Sequence, residues 1–419
     1  MKTKFTRIEG KSAGYWAGLA ITGGLAALAP LSALYLFVNG HHVSSMTNQI
    51  PWGMPIVMAV YLIGASAGSL VMSATSSVFG KVEYKPFSRM AALMAFLLIV
   101  AALMAIIMDW GRPDRLMVPF FHIQPRSMFS LNAFLYSSYM ALSLVYLYAM
   151  FHNMKKLERY LGLTAVGLAV LVHSGTGAIF GFVYVRELYN SPLLPPSFIA
   201  AALSSGTALM IVVITIAFKA AGRHLDHRLI HQLANLMGIF ILVVLYFIFI
   251  ENVTRSYAPK NYEAASFLLL HGGQVTNLFW VGLIGVGLVI PATLVLNPFT
   301  AKSMFFIQAA AWMQLIGVVI ERYIIVMPAQ LMPLEFFPDK EITSVFNDGA
   351  FATYSPSLPE IGYSVGLCFV VVFGFMVAIK LWPMLPTEAR HLDPVEEAKE
   401  SVAEEGETLA SRVIRLPGA

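Results

Sequence analysis

The chain has 419 residues, of which 58% are hydrophobic and only 12% charged, whereas an ordinary soluble domain is about 25% charged. A soluble core cannot absorb that apolar excess, because buried volume is tied to exposed surface. The formal net charge of +4 comes from lysines and arginines scattered among short loops, which excludes a nucleic-acid-binding face, and the lone cysteine, Cys368, excludes a disulfide, a Cys-ligated zinc or a Cys-ligated iron–sulfur cluster within this chain.

A bilayer core needs roughly 20 apolar residues per helix. Ten stretches qualify: 15–38, 52–78, 88–108, 127–151, 161–184, 197–219, 231–251, 264–298, 303–326 and 360–383. Their continuity fits helices, since a membrane β-barrel needs short strands of alternating polarity. The first run follows Lys2, Lys4, Arg7 and Lys11, as a signal peptide would. A cleavable signal has an apolar region of about 7–15 residues; this run reaches Val38, so an uncleaved first helix is expected.

The expected fold is therefore an all-α integral membrane protein of about ten transmembrane helices. Residues 1–383 form the membrane domain, and 384–419 an acidic, partly disordered cytoplasmic tail with eight acids between Glu388 and Glu407. The third and seventh helices each end in an acid followed one turn later by a base, Asp109/Arg112 and Glu251/Arg255. That echo suggests two related four-helix bundles, helices 2–5 and 6–9, plus two extra helices. Lysines and arginines number 19 on the side carrying both termini and 8 on the other, which puts both ends in the cytoplasm. Trp16 and Trp382 on that side, with Trp52 and Trp110 on the other, fit an aromatic belt. The outer connections 109–126, 185–196, 252–263 and 327–359 carry most of the polar chemistry. The last, stiffened by Pro328, Pro333, Pro338, Pro356 and Pro359 among Phe336, Phe337 and Phe351, reads as an ordered docking lid.

Charged or imidazole groups within spans are costly and are functional candidates by default. Asp109 ends the third run, and the following loop supplies Arg112, Asp114, His122, Gln124 and Arg126, with Ser130 and Asn132 opening the next helix. These are expected to converge on one polar pocket; a solvated helix end with a local ion pair is the plainer alternative. His173 lies near the midplane of the fifth helix, among Gly175, Gly177 and Gly181, which allow a close neighbour. Its plainer role is a neutral imidazole bonded to a carbonyl. Glu321 and Arg322 are adjacent and diverge by about 100°, so each is expected to pair with another helix. Glu251 with Arg255 is as readily structural as functional. Of the histidines, only His173 and His271 lie within apolar runs, at different depths, so no intrinsic haem is expected. No phosphate-cradling loop, nucleophile elbow or metal-spaced cluster is present in the sequence.

A chain without its own redox centre but rich in outer-side polar groups could bind a membrane-soluble redox molecule, to whose oxygens Arg112, Asn132 and His173 can donate. An apolar cleft walled by Tyr61, Phe134 and Tyr136 would hold it. Pro51-Trp52-Gly53 opening the second helix, Asp109-x-Gly111-Arg112 after the third and Asn132 early in the fourth resemble the NrfD/polysulfide-reductase membrane subunits. The stretches His173–Pro196 and Glu321–Glu360 resemble the ten-helix branch with HybB-type subunits. Thr176–Phe182 and Asn190–Pro196 are most similar to the DsrP-type subunits of DsrMKJOP sulfite-reduction-associated complexes.

The resemblance implies a quinone-interacting subunit of a respiratory redox complex in a prokaryotic cytoplasmic (inner) membrane, tied to dissimilatory sulfur metabolism. Its bound substrate would be menaquinone or ubiquinone, with no intrinsic haem or iron–sulfur cluster. Its partners would be an extracytoplasmic, ferredoxin-like iron–sulfur subunit (DsrO-like), a multihaem cytochrome and a second membrane subunit. Carried over, Asp109, Arg112 and Asn132 line the quinone region with Tyr136 and His173, and His173, Glu251, Glu321 and Arg322 are proton-relay candidates. The chain departs from some members in having no acid in the apolar part of its second helix, Met54 to Ser73, so a proton route through such an acid does not transfer. Two other classes explain the same charges: a secondary transporter or ion-translocating permease, for which Gly272-Gly273 is the one candidate helix break, and a passive membrane anchor.

Overall fold

The computed structural model describes residues 5–333 and 350–387. The middle of the expected lid, including Phe336, Phe337 and Pro338, and the acidic tail from Glu388 onward lie outside the described residues. Among the described residues, ten helices are long and apolar enough to cross a membrane: α1 (Ala13–Asn39), α2 (Met54–Val78), α3 (Val82–Asp109), α4 (Met128–Phe151), α5 (Lys155–Gly181), α6 (Leu194–Ala220), α7 (His227–Tyr257), α8 (Gln274–Leu296), α9 (Met304–Leu331) and α10 (Leu358–Leu381). The chain is a multi-pass membrane protein.

Local chemistry explains where these helices begin and bend. Ser127 caps α4 by accepting from the Ser130 amide, and Asp226 caps α7 through the Arg228 amide. Ser357 and Glu360 form a reciprocal capping box at the start of α10. Pro30 cannot donate to the Ala26 carbonyl, and α1 kinks at Ala27.

The helices pack as two four-helix bundles. In the first, α2 and α4 each lie against α3 and α5; in the second, α6 and α8 each lie against α7 and α9. The bundles join where α2 meets α6 and α9 and where α5 meets α6, while α1 and α10 pair and lean on α3. At the α2–α6 crossing the backbones touch at Gly68 and Gly206, and neither position has room for a Cβ.

The stretch 264–298, expected as one span, is divided. A short helical segment ends at His271, Gly273 turns the chain with φ +59°, and α8 begins at Gln274. The Thr276 hydroxyl bridges the break, accepting from the Gly272 N–H at 2.9 Å and donating to the Phe267 carbonyl at 3.2 Å. This break lies at the end of the span, not at the midplane where a transporter's broken helices converge. Beyond it, Leu278–Val289 is wound as a wide π-helix that contains Gly282, Gly285 and Gly287.

The two described ends meet on one face. Strand β1 (Phe5–Thr6) pairs antiparallel with β2 (Leu385–Pro386). Arg223 donates to the Leu385 carbonyl at 2.8 Å and to Thr6 Oγ1 at 2.7 Å. Arg89 donates to the Pro383 and Met150 carbonyls and stacks on Phe5, 4.1 Å from its ring centre. The opposite, far face carries the connections α1–α2, α3–α4, α5–α6, α7–α8 and α9–α10.

Candidate functional site

At the far end of the first bundle the helices separate around a cavity of about 450 Å³, within the usual size range of small-molecule sites. Trp52 just before α2, Ile56 and Val60 of α2, Leu103, Ile107 and Asp109 of α3, Phe129, Asn132 and Tyr136 of α4, and Thr176 and Phe180 of α5 line it. Leu116, Met117 and Phe120 of the α3–α4 connection close its top. Trp52 is the aromatic pivot: its ring centre lies 5.4 Å from Phe180, 5.8 Å from Tyr189 and 5.9 Å from Phe129.

The mouth of the cavity is built on the first turn of α2, whose backbone N–H groups have no partner within the helix. Three side chains from three other elements take them. The Trp52 amide donates to Gln330 Oε1 at 3.0 Å, the Gly53 amide to Asp109 Oδ1 at 3.4 Å and the Met54 amide to Tyr354 Oη at 2.7 Å. Tyr354 donates in turn to Glu360 Oε1 at 2.8 Å. Burial and the Glu360 carboxylate push the Tyr354 phenol well above the usual range for tyrosine. Glycine at 53 is required because a Cβ there would run into Glu360 Oε1. Pro51-Trp52-Gly53 is thus a docking point for α3, α9 and the lead into α10. Gln330, Tyr354 and Glu360 escaped the sequence reading, although Ser357-x-x-Glu360 is a legible capping signature.

Asp109, Asn132 and Tyr136 come together as expected; Arg112 and His173 do not join them. Tyr136 Oη lies 2.8 Å from Thr176 Oγ1, whose own hydrogen goes to the Val172 carbonyl at 2.7 Å, so the phenol donates and keeps a lone pair. Asn132 was expected to donate to a ligand. Both its amide hydrogens are taken, by the Met128 carbonyl at 2.7 Å and the Gly175 carbonyl at 2.9 Å, so it ties α4 to α5 at the cavity wall. Gly111, with φ +65°, turns the chain away after α3. Arg112 then sits in the open in a two-pronged pair with Asp114, Nε–Oδ1 and Nη2–Oδ2 both 3.0 Å, which holds the Asp114 carboxyl below the usual carboxylate range. His122, Gln124 and Arg126 are exposed beside it and do not converge on the cavity. The same turn chemistry that makes the pair local removes it from the site.

His173 lies one turn below Thr176, buried at the junction of the bundles. Its Nδ1 faces the Ala169 carbonyl at 2.9 Å, as the plainer expectation had it, and its Nε2 has no hydrogen-bond partner among the described residues. Arg322 was expected to find a mate on another helix. Instead its Nη1 approaches Glu321 Oε1 of the adjacent residue at 3.6 Å, and its guanidinium lies 4.0 Å over the Phe198 ring of α6. Long side chains close the angle that separates adjacent Cβ directions. Glu251 and Arg255 pair at 2.7 Å, and Arg255 also donates to the Leu188 carbonyl at 2.6 Å. Glu251, Asn252, Arg255 and Glu321 line a second, much smaller cavity of about 40 Å³ at the far end of the second bundle. The two bundles therefore carry pockets at matching places, one large and apolar, one small and charged.

Ten spanning helices, eight of them in two four-helix bundles, with an aromatic-walled pocket at the far end of the first bundle, define a multi-pass helical membrane protein with an apolar small-molecule pocket. The family described as polysulphide reductase, NrfD, matches residues 42–334, and the chain belongs to it. It is 38% identical over 394 residues to the Hdr-like menaquinol oxidoreductase integral membrane subunit of Archaeoglobus fulgidus, covering 93% of this chain and 98% of that protein. One subunit of the selenate reductase of Mesobacillus selenatarsenatis is 28% identical, with 85% of this chain and 92% of that protein aligned. One chain of the polysulfide reductase of Wolinella succinogenes is 25% identical, with 68% of this chain and 95% of that protein aligned.

Proposed function

We propose that the cavity of the first bundle binds a membrane quinone or quinol and that the chain is the quinone-interacting membrane subunit of a respiratory redox complex. The observation that carries this is the cavity itself: about 450 Å³, walled by aromatic and aliphatic side chains, with Asp109 at its mouth and the Tyr136–Thr176 pair within it. An isoprenoid-tailed ring partitions into such a site from lipid, and a few polar groups orient it. Menaquinone is favoured over ubiquinone by the name of the Archaeoglobus relative.

Quinol oxidation releases two electrons and two protons per ring, and quinone reduction consumes them. Asp109 stands where a ring hydroxyl and the far face are both within reach, and it takes the proton-exchange role. Tyr136, with Thr176, orients a ring oxygen. Arg112 and Asn132 act around the site, as a turn anchor and as a wall tie. His173, Glu251, Glu321 and Arg322 make up a proton-relay path from the depth of the first bundle to the small cavity of the second.

The far face is the extracytoplasmic one in this reading, with both termini in the cytoplasm, because it is poorer in lysine and arginine. Electrons are exchanged there with a ferredoxin-like iron–sulfur subunit of the DsrO type. A multihaem cytochrome and a second membrane subunit make up the rest of a complex of sulfur metabolism. Asp109→Asn in the assembled complex tests the reading. Loss of quinol-linked turnover with bound quinone retained supports it, and normal turnover with Asp109→Asn and Tyr136→Phe combined removes the site.

A further inference from the structure

Where α2 crosses between α5, α6 and α9, Gly64 leaves a gap. The three atoms nearest to a Cβ built on Gly64 are all polar and come from three different helices. They are Ser205 Oγ of α6 at 3.9 Å, His173 Nε2 of α5 at 4.0 Å and Arg322 Nη2 of α9 at 4.0 Å. His173 is 2% exposed, and Ser205 and Arg322 are 0% exposed. Among the described residues, neither His173 Nε2 nor any guanidinium nitrogen of Arg322 has a hydrogen-bond partner. Buried groups of this kind are nearly always satisfied, by protein or by ordered water.

The chemistry of the three atoms selects the occupant. His173 Nδ1 faces a carbonyl, so it carries the hydrogen and Nε2 presents a lone pair. Ser205 spends its hydrogen on the Ala202 carbonyl at 3.1 Å and also presents lone pairs. Arg322 presents only hydrogens. An anion is disfavoured by the two lone pairs, a metal cation by the guanidinium, and a hydrocarbon by all three. Water satisfies each at once, accepting from Arg322 and donating to His173 and Ser205.

We propose that Gly64 keeps open a site for ordered water, one or two molecules, that hydrogen-bonds His173 to Arg322 across the junction of the two bundles. Arg322 Nε, also without a hydrogen-bond partner among the described residues, gives such water a further hydrogen to accept. The site stands on its own geometry. Its use rests on the quinone reading, under which it joins His173 in the first bundle to the Glu321–Arg322 pair in the second.

Gly64→Ala is the discriminating variant. The added methyl meets neighbours only at ordinary contact distance, so the bundles should assemble unchanged, yet it takes the water's place. High-resolution maps of the complete complex are compared for the natural chain and Gly64→Ala, alongside their thermal unfolding midpoints. The expected result is water density within hydrogen-bond reach of His173 Nε2 and Arg322 in the natural chain, lost in Gly64→Ala, with the complex still assembled and its midpoint lowered because the buried groups lose their partner. An empty gap in the natural chain, in a map that resolves other buried waters, overturns the proposal. So does direct contact between the His173 and Arg322 side chains. This readout does not involve quinone, so it fails or succeeds apart from the pocket reading.

Discussion

The Gly53 amide of α2 points at Asp109 Oδ1 of α3 across 3.4 Å, so the last residue of one helix caps the first turn of its neighbour at the mouth of the cavity. The arrangement gives Asp109 two roles, and a substitution can separate them. Asp109→Asn keeps an oxygen for Gly53 and removes the charge. Its expected effect is a fall in quinol-linked turnover of about 10²-fold or more, the usual size of a lost general acid–base group, with the unfolding midpoint little changed. Turnover of the purified complex, measured beside thermal unfolding in detergent, checks this.

Under the proposed reading, the hydrogen-bonded Tyr136 and Thr176 orient the ring as a unit. Removing one neutral hydrogen bond costs about 0.5–1.5 kcal/mol, so Tyr136→Phe should weaken quinol affinity several-fold. Thr176→Val should do the same, and the double variant should be little worse than either, because the two share one interaction. Additive losses in the KM for quinol would show that the pair is not coupled.

Arg255, in the last turn of α7, and Arg112, just after α3, make opposite predictions although each follows an acid by about one turn. Arg255→Leu leaves Glu251 buried without its partner and the Leu188 carbonyl without its donor. Breaking a buried pair in this way costs about 3–5 kcal/mol, seen as a clearly lower unfolding midpoint. Arg112→Ala removes only an exposed local pair, and both the midpoint and quinone binding should stay as they are.

The junction of the bundles depends on glycine at two positions. Gly68→Val places a side chain into the backbone of α6 at Ala202 and Gly206, where nothing can yield. Loss of monodisperse protein on size exclusion is expected. Gly24→Ala, which meets nothing within 4 Å, should behave as the natural chain does.

What was legible in the sequence follows from how the signals arise. Hydropathy reports whether a segment prefers lipid, so the number of spans, their approximate limits and the out-of-place polar residues could all be read. It says little about which way a helix faces. Asp109 and Tyr136 both line the cavity, which opens where the third helix ends and the fourth begins. Asn132 and Arg112 were read as donors to a ligand and Arg322 as pairing with another helix, but Asn132 bonds Met128 and Gly175, Arg112 pairs with Asp114, and Arg322 approaches Glu321. Those short-range partners depend on rotamers and turns that residue spacing does not encode. The break at Gly272-Gly273 was noticed as a dipeptide, yet its depth depends on the hydroxyl of Thr276, which fixes the turn at the helix end.

The central claim, that quinone binds in the first bundle, is tested most directly by photolabelling. An azido-quinone is activated in the assembled complex and the modified peptides are mapped, with unlabelled menaquinone as competitor. Competed labels are expected on the residues around the large cavity, in segments 100–120, 129–140 and 176–180. Competed labelling confined to α6–α9, with the first bundle unmodified, would contradict it.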